Sequence, residues 1–570
     1  MRPARWLIPE LDSNQVETVA RDLRIAPLVA RILVRRGYGD SDSANAFLRP
    51  TLANLLDPYS MRGMRDAAGR LREAIARGEH ILLYGDYDVD GTSSIVILKK
   101  ALELAGASAD FHVPHRLRDG YGMRPEVIRE AAERGTKLIV SVDTGIRANE
   151  VVRLAGELGI DVIVTDHHLP ESELPPAFAV LNPNQPGCEY RNKELCGAGV
   201  AFKLVQALLR ELGMPEARQT KLAESFLKLV AIATVADVVP LTGENRVIVK
   251  HGLDGLERTP NHGLRELLNV AGLAGARPTA GQVAFRVAPR INAAGRMASA
   301  RDVIEMFLTQ DPERAKQLAS QLHDLNTDRQ QTEADIVAAA LEDTVANPVT
   351  DERRGLVFSG VGWHRGVVGI VASRMVERFH RPVFVLGIDE EKGEAVGSGR
   401  SVRGFHLLDA LESMPELFVK FGGHKQAAGV TLPIANLSEF NRRFNEYACE
   451  RIPADELRAQ HEIDAVVSVP ELHEESVSHL MALSPFGFGN PAPLLAVLDA
   501  QVGGVPEIMK EKHLKLRVGQ QGRWLTCKGW NWAERAEQVR GPRLDVAVTV
   551  EDDAYWGWSA TLKDARPANS

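Results

Sequence analysis

Cysteine is scarce in this sequence: Cys188, Cys196, Cys449 and Cys527 are the whole complement of 570 residues. Four thiols so widely spaced build neither a disulfide framework nor a zinc site, and a reducing cytoplasm is the expected compartment. Long apolar runs are missing too. No stretch approaches the roughly 18 residues of a membrane span, and Met1–Glu10 lacks the apolar segment of a signal peptide, so no membrane partner is expected. We find no internal repeat and no low-complexity tract. Positive charge is not in excess, since 68 Lys and Arg face 76 Asp and Glu for a net charge of −8. That balance argues against nucleic acid, because affinity for phosphate leans on a basic surface. It does not exclude such a partner: carboxylates that hold metal are cancelled by it, and a groove can concentrate cations locally.

What is present is a set of apolar runs that end in acidic or histidine residues. They are Ile81–Asp90, Leu138–Asp143, Val162–His168 and Leu229–Asp237. In open α/β sheets, ligands bind beyond the carboxyl ends of the strands. Carboxylates and a histidine converging there repel one another unless a cation neutralises them. Hard oxygen ligands favour Mg²⁺ or Mn²⁺, and an imidazole tilts the choice toward Mn²⁺. The pattern is that of a metal-dependent catalytic site.

The length suggests three or four domains. Residues 1–70 read as an N-terminal helical region. From 71 to 298, strand-like and helix-like patterns alternate: strands at 80–85, 109–113, 138–142 and 161–165, and helices at 92–105, 148–158, 197–212 and 220–238. This predicts a mostly parallel, doubly wound sheet. Residues 299–349 are helical and largely polar, with Asp311-Pro312 as cap and first-turn proline. A helix from Glu313 to Glu342 would run about 45 Å and suit a connector. A second α/β unit covers 350–452, and residues 453–570 turn to short strands that predict a small all-β barrel.

Asp86, Asp88 and Asp90 stand at i, i+2, i+4, so in an extended segment their carboxylates face one way. The rival reading is a calcium loop, but its twelfth position should be Glu and is Ile97. Asp143 gains weight from ending a buried strand. In Asp166-His167-His168 the neighbouring side chains diverge, so one imidazole is expected on metal and the other on substrate. Asp237 either joins the cluster, caps its apolar run or pairs with a cation. Arg290-Ile-Asn292-Ala-Ala-Gly-Arg296 combines cations with a glycine that admits a phosphodiester, or is a surface loop with salt bridges. The same pair of readings holds for Gly397–Arg400. The Gly-rich run Phe421–Gly429 reads as a phosphate-contacting turn. Trp524, Trp530, Trp532, Trp556 and Trp558 crowd the last stretch. They either stack unpaired bases or fill a barrel core, with Trp530 and Trp532 the expected exposed pair.

Together, Tyr84–Gly91, Val142–Gly145, Thr165–His168 and Ala236–Pro240 resemble the DHH phosphoesterase superfamily. Adding Arg290–Met297, Trp363–Gly369, Gly397–Arg400 and Gly422-Gly-His424 makes the chain similar to the RecJ family of single-strand-specific 5′→3′ DNA exonucleases, over residues 70–450 and in order. The resemblance implies a DHH-type parallel-sheet domain, a DHH-associated second α/β domain joined by a long helix, and an OB-like barrel. It implies metal ligation by Asp86, Asp88, Asp90, Asp143, His167 and Asp237, with two ions of Mn²⁺ or Mg²⁺, and His168 on the scissile phosphate or orienting a ligand. Arg116, Arg296, Ser398 and Arg400 would hold phosphates, and His424 would contact nucleic acid. The expected substrate is single-stranded DNA, cut to 5′-mononucleotides in recombination and repair by a monomer. Single-stranded-DNA-binding protein and repair helicases are the implied partners. The rivals are a DHH phosphodiesterase of short RNA or cyclic dinucleotides, which needs no barrel, and a non-catalytic fork scaffold, which would have lost the carboxylates. Because the catalytic motifs end before about residue 430, truncation near 455 is expected to spare chemistry and weaken binding of long strands.

Overall fold

The computed structural model describes residues 4–10, 12–116, 118–553 and 557–568, so Trp556 lies outside the described residues. The described residues form two compact units, one built from residues 4–113 with Gly122–Ala288 and Gln460 onward, the other from Pro114–Tyr121 and Pro289–Ala459. Among the described residues no helix is long and apolar enough to cross a membrane.

In the first unit a five-stranded, all-parallel sheet has the order Ala109–His112, His80–Tyr84, Thr136–Val142, Asp161–Thr165, Ala179–Leu181. Its central strands are runs of Ile, Leu and Val buried on both faces, as parallel sheets require. Tyr84 stands opposite Ser141, and Ser141 opposite Val164, so the carboxyl ends are aligned. The chain leaves His80–Tyr84 toward one edge and returns on the other side with Thr136–Val142. This reversal of direction opens a crevice at the carboxyl ends of those two strands.

Helix Val89–Leu104 is buried along most of its length, and helices Gly197–Glu211 and Glu216–Ala236 also lie in this unit. The first of these begins three residues before the sequence pattern suggests. Its cap is Asp88, whose carboxylate accepts from the backbone N–H groups of Asp90 and Gly91.

The last part of the chain closes into a five-stranded ring. Leu495–Val502 pairs with Arg543–Asp553, then Gly557–Pro567, Arg523–Gly529 and His513–Gln520, which returns to Leu495–Val502. The expected barrel is present. Its core is shared with the N-terminal helices Ser13–Leu23, Pro27–Arg35 and Ser41–Leu48: Val19, Leu28, Ile32, Leu33 and Phe47 are buried in one cluster with Val497, Leu516 and Val546. Strand Arg5–Leu7 adds in parallel to Gln460–Glu462. Arg31 and Arg36 tie the same helices to Glu471 and Asp464.

In the second unit, helix Pro312–Ala346 is 35 residues long, capped by Asp311, which accepts from Glu313 N–H at 2.9 Å. It is not polar all round. Ile336 and Ala340 are buried with Val368, Val371 and Met375. The accompanying sheet is mixed, in the order Lys420–Gly423, Ala427–Pro433, Glu394–Arg400, Val383–Asp389, Leu356–Val361, with only the last pair parallel.

Candidate active site

Asp143 follows the last residue of strand Thr136–Val142. Its N–H still donates to Thr165 O at 3.0 Å, but its φ of 56° is left-handed. Such backbone is costly for a residue with a Cβ and persists where its surroundings impose it. The turn drives the carboxylate inward, where it is 2% exposed. A Cβ on Gly197 would stand 2.7 Å from the Asp143 Cβ, so only glycine admits the carboxylate there.

Asp86, Asp88 and Asp90 do not form the one-sided extended row the sequence suggests, because the helix begins at Val89. Asp88 closes the cap, and Asp90 falls in the first helical turn. The Asp90 carboxylate accepts from Gly197 N–H at 2.6 Å and Ala198 N–H at 2.7 Å, so it also caps helix Gly197–Glu211. The calcium-loop reading fails on the same geometry, since a strand precedes the segment and a helix starts within it.

The side chains nevertheless converge. Asp86, Asp88 and Asp143 bring ligand atoms within 4.8 Å of one another; so do Asp90, His167 and Asp237, and so do Asp143, His167 and His168. His167 Nε2 lies 3.2 Å from Asp143 and 3.8 Å from Asp90, while its Nδ1 lies 3.8 Å from Asp237. Asp237 ends helix Glu216–Ala236 and faces the cluster as well. The two imidazoles do not diverge: their centroids are 4.4 Å apart, and His168 Nδ1 is 4.0 Å from Asp143.

Sequence reading passed over Asp166 as a site residue. It is fully buried, and its carboxylate accepts from the N–H groups of Ile146, His167 and His168 and meets His168 Nδ1 at 2.7 Å. Asn182 and Asn184 donate to the carbonyls of His168 and His167. Asp166 therefore orients the histidine pair, as carboxylates behind ligating histidines do. The Asp-His-His run held that signal, since a carboxylate two residues before an imidazole can reach its ring.

Burial pushes the Asp143 carboxyl well up, and the charges of Asp90, Asp88 and Asp86 push it further. Burial also raises Asp90, and burial with Asp90 and Asp88 pushes Asp237 up to about 9. Burial holds His167 low; it opposes the charge on His168 too, but the hydrogen bond to Asp166 wins and raises it. Stability from a raised carboxyl is complete below the unfolded value of about 3.9 and is lost as pH rises through the folded value. We expect the metal-free protein to melt at progressively lower temperature between about pH 7 and the folded value of about 9 for Asp237, and Mn²⁺ to reverse that slope by taking the protons' place. A melting temperature flat over this range in EDTA would show that the carboxylates are not strained.

The predicted phosphate-contacting residues and His424 lie in the second unit. Arg290–Arg296 is not a loop but part of helix Ala288–Met297. There Arg290 meets His323 at 3.1 Å, Asn292 is half-buried, and Arg296 donates to Gly366 O at 2.8 Å. Ser398 and Arg400 alternate along strand Glu394–Arg400, and a Cβ on Gly369 would lie 3.2 Å from Arg400 Nη2 and 3.5 Å from Ser398 Oγ. Gly369 sits in the first turn of helix Val368–Phe379, which no side chain caps. Burial works against the charge of Arg400, and Arg116 adds to the effect. Two cations, a hydroxyl and a helix N-terminus thus share one neighbourhood, as in anion sites. His424 is exposed at the hairpin between Lys420–Gly423 and Ala427–Pro433.

Three family models match in chain order: the DHH family, N-terminal domain, over 80–234, the DHHA1 domain over 353–450 and the RecJ OB domain over 463–560. The single-stranded-DNA-specific exonuclease RecJ of Bacillus subtilis is 40% identical over 544 residues, covering 95% of this chain and 68% of that protein. The chain belongs to the RecJ family. Solved RecJ structures from Thermus thermophilus agree with this. The structure in complex with Mn²⁺ has a TM-score of 0.84 at 32% identity and that with Mg²⁺ 0.77 at 30%, covering all of this chain and 81% and 79% of those chains.

Within the segment matching the RecJ OB domain, the tryptophans divide differently from expectation. Trp532 is 7% exposed, buried in the core with the Arg535 guanidinium 3.7 Å above its ring. It is a core residue because the turn after strand Arg523–Gly529 carries it back over Gly529. Trp524 and Trp530 are the exposed pair, at 44% and 51%. Trp524 lies over Gly503 and Gly519 with Arg517 at 5.0 Å, and Trp530 meets His513 edge-on.

Proposed function

We propose that this RecJ-family chain is a divalent-metal-dependent exonuclease that hydrolyses single-stranded DNA from the 5′ end to 5′-mononucleotides, in recombination and repair. The observation that carries this reading is the convergence of three carboxylate and histidine groups, sharing Asp143 and His167, at the switch point of the parallel sheet. The donor set fits Mn²⁺ or Mg²⁺: it is rich in carboxylate oxygen with an imidazole added, and its buried like charges need a cation. Asp86, Asp88, Asp90, Asp143, His167 and Asp237 are the proposed ligands, enough for two ions. When bound, such ions acidify an attacking water and neutralise charge on the phosphodiester.

The chain's own residues do the rest. Asp90 anchors the cluster to helix Gly197–Glu211, and Asp166 holds His168 through Nδ1 and leaves Nε2 for a phosphate oxygen. Ser398, Arg400, Arg116 and Arg296 supply the asymmetry an exonuclease needs, because a terminal 5′-phosphate carries more negative charge than an internal one. Arg290, Asn292, His424 and Trp530 are proposed to contact the strand, with Trp524 in the place first given to Trp532. We further propose a cytoplasmic monomer that works with single-stranded-DNA-binding protein and repair helicases.

Digestion of end-labelled single-stranded, double-stranded and RNA oligonucleotides with Mn²⁺, Mg²⁺ or EDTA tests the reading. Label loss from the 3′ end first would sink the polarity. A charge-assisted hydrogen bond contributes roughly 1.5–3 kcal/mol, so Arg400→Ala is expected to lower the preference for a 5′-phosphate over a 5′-hydroxyl by about 10- to 150-fold. Full preference retained by this variant would make Arg400 a structural residue.

A further inference from the structure

Arg246, in helix Gly243–Leu256, is 1% exposed and has no carboxylate within ion-pair distance among the described residues. Its Nε donates to Phe47 O at 2.7 Å, its Nη2 donates to Ser484 O at 2.8 Å and Ala482 O at 3.3 Å, and its guanidinium lies 3.9 Å over the Phe47 ring. The Nη1 is buried and has no hydrogen-bond partner. A buried cation left without a counter-charge and with an unused donor is costly, so its surroundings matter.

Arg246 lines a cavity of about 450 Å³, a volume suited to a small ligand. Arg191 lines it too and is exposed, with no ion pair among the described residues. The first turn of Gly243–Leu256 completes the lining: Thr242 makes no side-chain cap, and a Cβ on Gly243 would meet nothing within 4 Å. Uncapped N–H groups at a helix start attract anions. The acid in the lining, Glu244, is already committed to Lys203 at 2.6 Å, Tyr190 Oη at 2.8 Å and Leu56 N–H at 2.9 Å. The aromatic rings of Tyr38 and Phe47, 4.4 Å apart, form an apolar wall. None of the proposed metal ligands lines this cavity.

We propose that this cavity binds a phosphate group, free or as the phosphomonoester of a mononucleotide, through Arg246, Arg191 and the start of helix Gly243–Leu256. Because Arg246 also ties that helix to Phe47 and to the carbonyls of Ala482 and Ser484, an occupant would stabilise the junction of three chain segments by mass action.

The test uses the full-length protein in EDTA, titrated calorimetrically with inorganic phosphate and with deoxyadenosine monophosphate, alongside melting curves. Wild type is expected to bind saturably and melt at higher temperature with ligand. Arg191→Glu, a rim substitution that leaves the buried network alone, should weaken binding by about 10- to 150-fold, the range for a charge-assisted contact. Arg246→Lys should weaken it too, and Arg400→Ala, which alters the separate 5′-phosphate neighbourhood at Ser398, should leave a saturable phase that Arg191→Glu weakens. Tighter binding of the nucleotide than of phosphate assigns the aromatic wall to a base; equal or weaker binding assigns free phosphate. The proposal is overturned if wild type shows no saturable binding. It is equally overturned if binding vanishes in Arg400→Ala while Arg191→Glu binds normally, which would place the anion in the neighbourhood of Ser398.

Discussion

Asp143→Ala is expected to lower DNA cleavage by at least about 10²- to 10³-fold, the scale of losing one preorganised electrostatic group from a water-poor site, while the metal-free protein melts at the same temperature or higher. Asp143 belongs to two of the three ligand groups, so its loss removes a donor from both at once. Its carboxylate is held among Asp90, Asp88 and Asp86, and burial already drives it toward the protonated form. Removing it relieves repulsion that only a cation otherwise relieves. The left-handed backbone at this position works in the other direction, since Ala tolerates φ of 56° no better than Asp. The relief and the strain therefore separate: activity should collapse without a matching loss of fold. Nuclease rates with Mn²⁺ and melting curves in EDTA decide it. Substantial Mn²⁺-dependent hydrolysis by the variant would falsify the assignment of the centre.

The sheet and the cluster were legible in the sequence because both are written locally. Apolar runs of strand length, each ending in Asp or Asp-His-His, carry their own position: the carboxyl ends of parallel strands share one side of a sheet. The onset of the first helix was harder to read. Asp88 is an N-cap and Asp90 a first-turn residue, yet the alternation of Asp86, Asp88 and Asp90 imitates a strand, and only the distant Gly197 and Ala198 N–H groups show where Asp90 points. Asp166 went unread because its partners include Ile146, twenty residues back. Trp532 was misjudged on composition. Cations beside a tryptophan suit a base-stacking surface and a buried ring covered by Arg535 equally well, and burial separates the two. Least legible was the pairing of the N-terminal helices with the barrel, since nothing within residues 13–48 names the segment at 465–565 that shares their core.

That shared core reverses an expectation. Truncation after Ala459 should unfold far more than a binding module. It would expose Leu28, Ile32, Leu33 and Phe47, leave strand Arg5–Leu7 without its parallel partner, and strip Arg246 of its acceptors at Ala482 and Ser484. Exposing one such side chain costs about 1.5–3 kcal/mol, and a domain's whole stability is only about 5–15 kcal/mol. The loss also reaches the proposed metal centre: Leu241 N–H donates to Phe488 O, and Gly489 is closely fitted to Pro240, three residues after Asp237. The truncated chain is therefore expected to melt at much lower temperature, or to aggregate, and to lose cleavage. The barrel's role on DNA is instead read from the intact chain. Trp524→Ala with Trp530→Ala should lower the melting temperature far less than truncation, because both rings are about half exposed, and should weaken binding of a long single strand by about 30- to 10⁴-fold, from roughly 1–3 kcal/mol per stacked base. A truncated protein that melts cooperatively at the full-length temperature and cuts normally would show that the barrel and the N-terminal helices fold apart. A double tryptophan variant with unchanged affinity at equal salt would show that these rings are not the stacking platform.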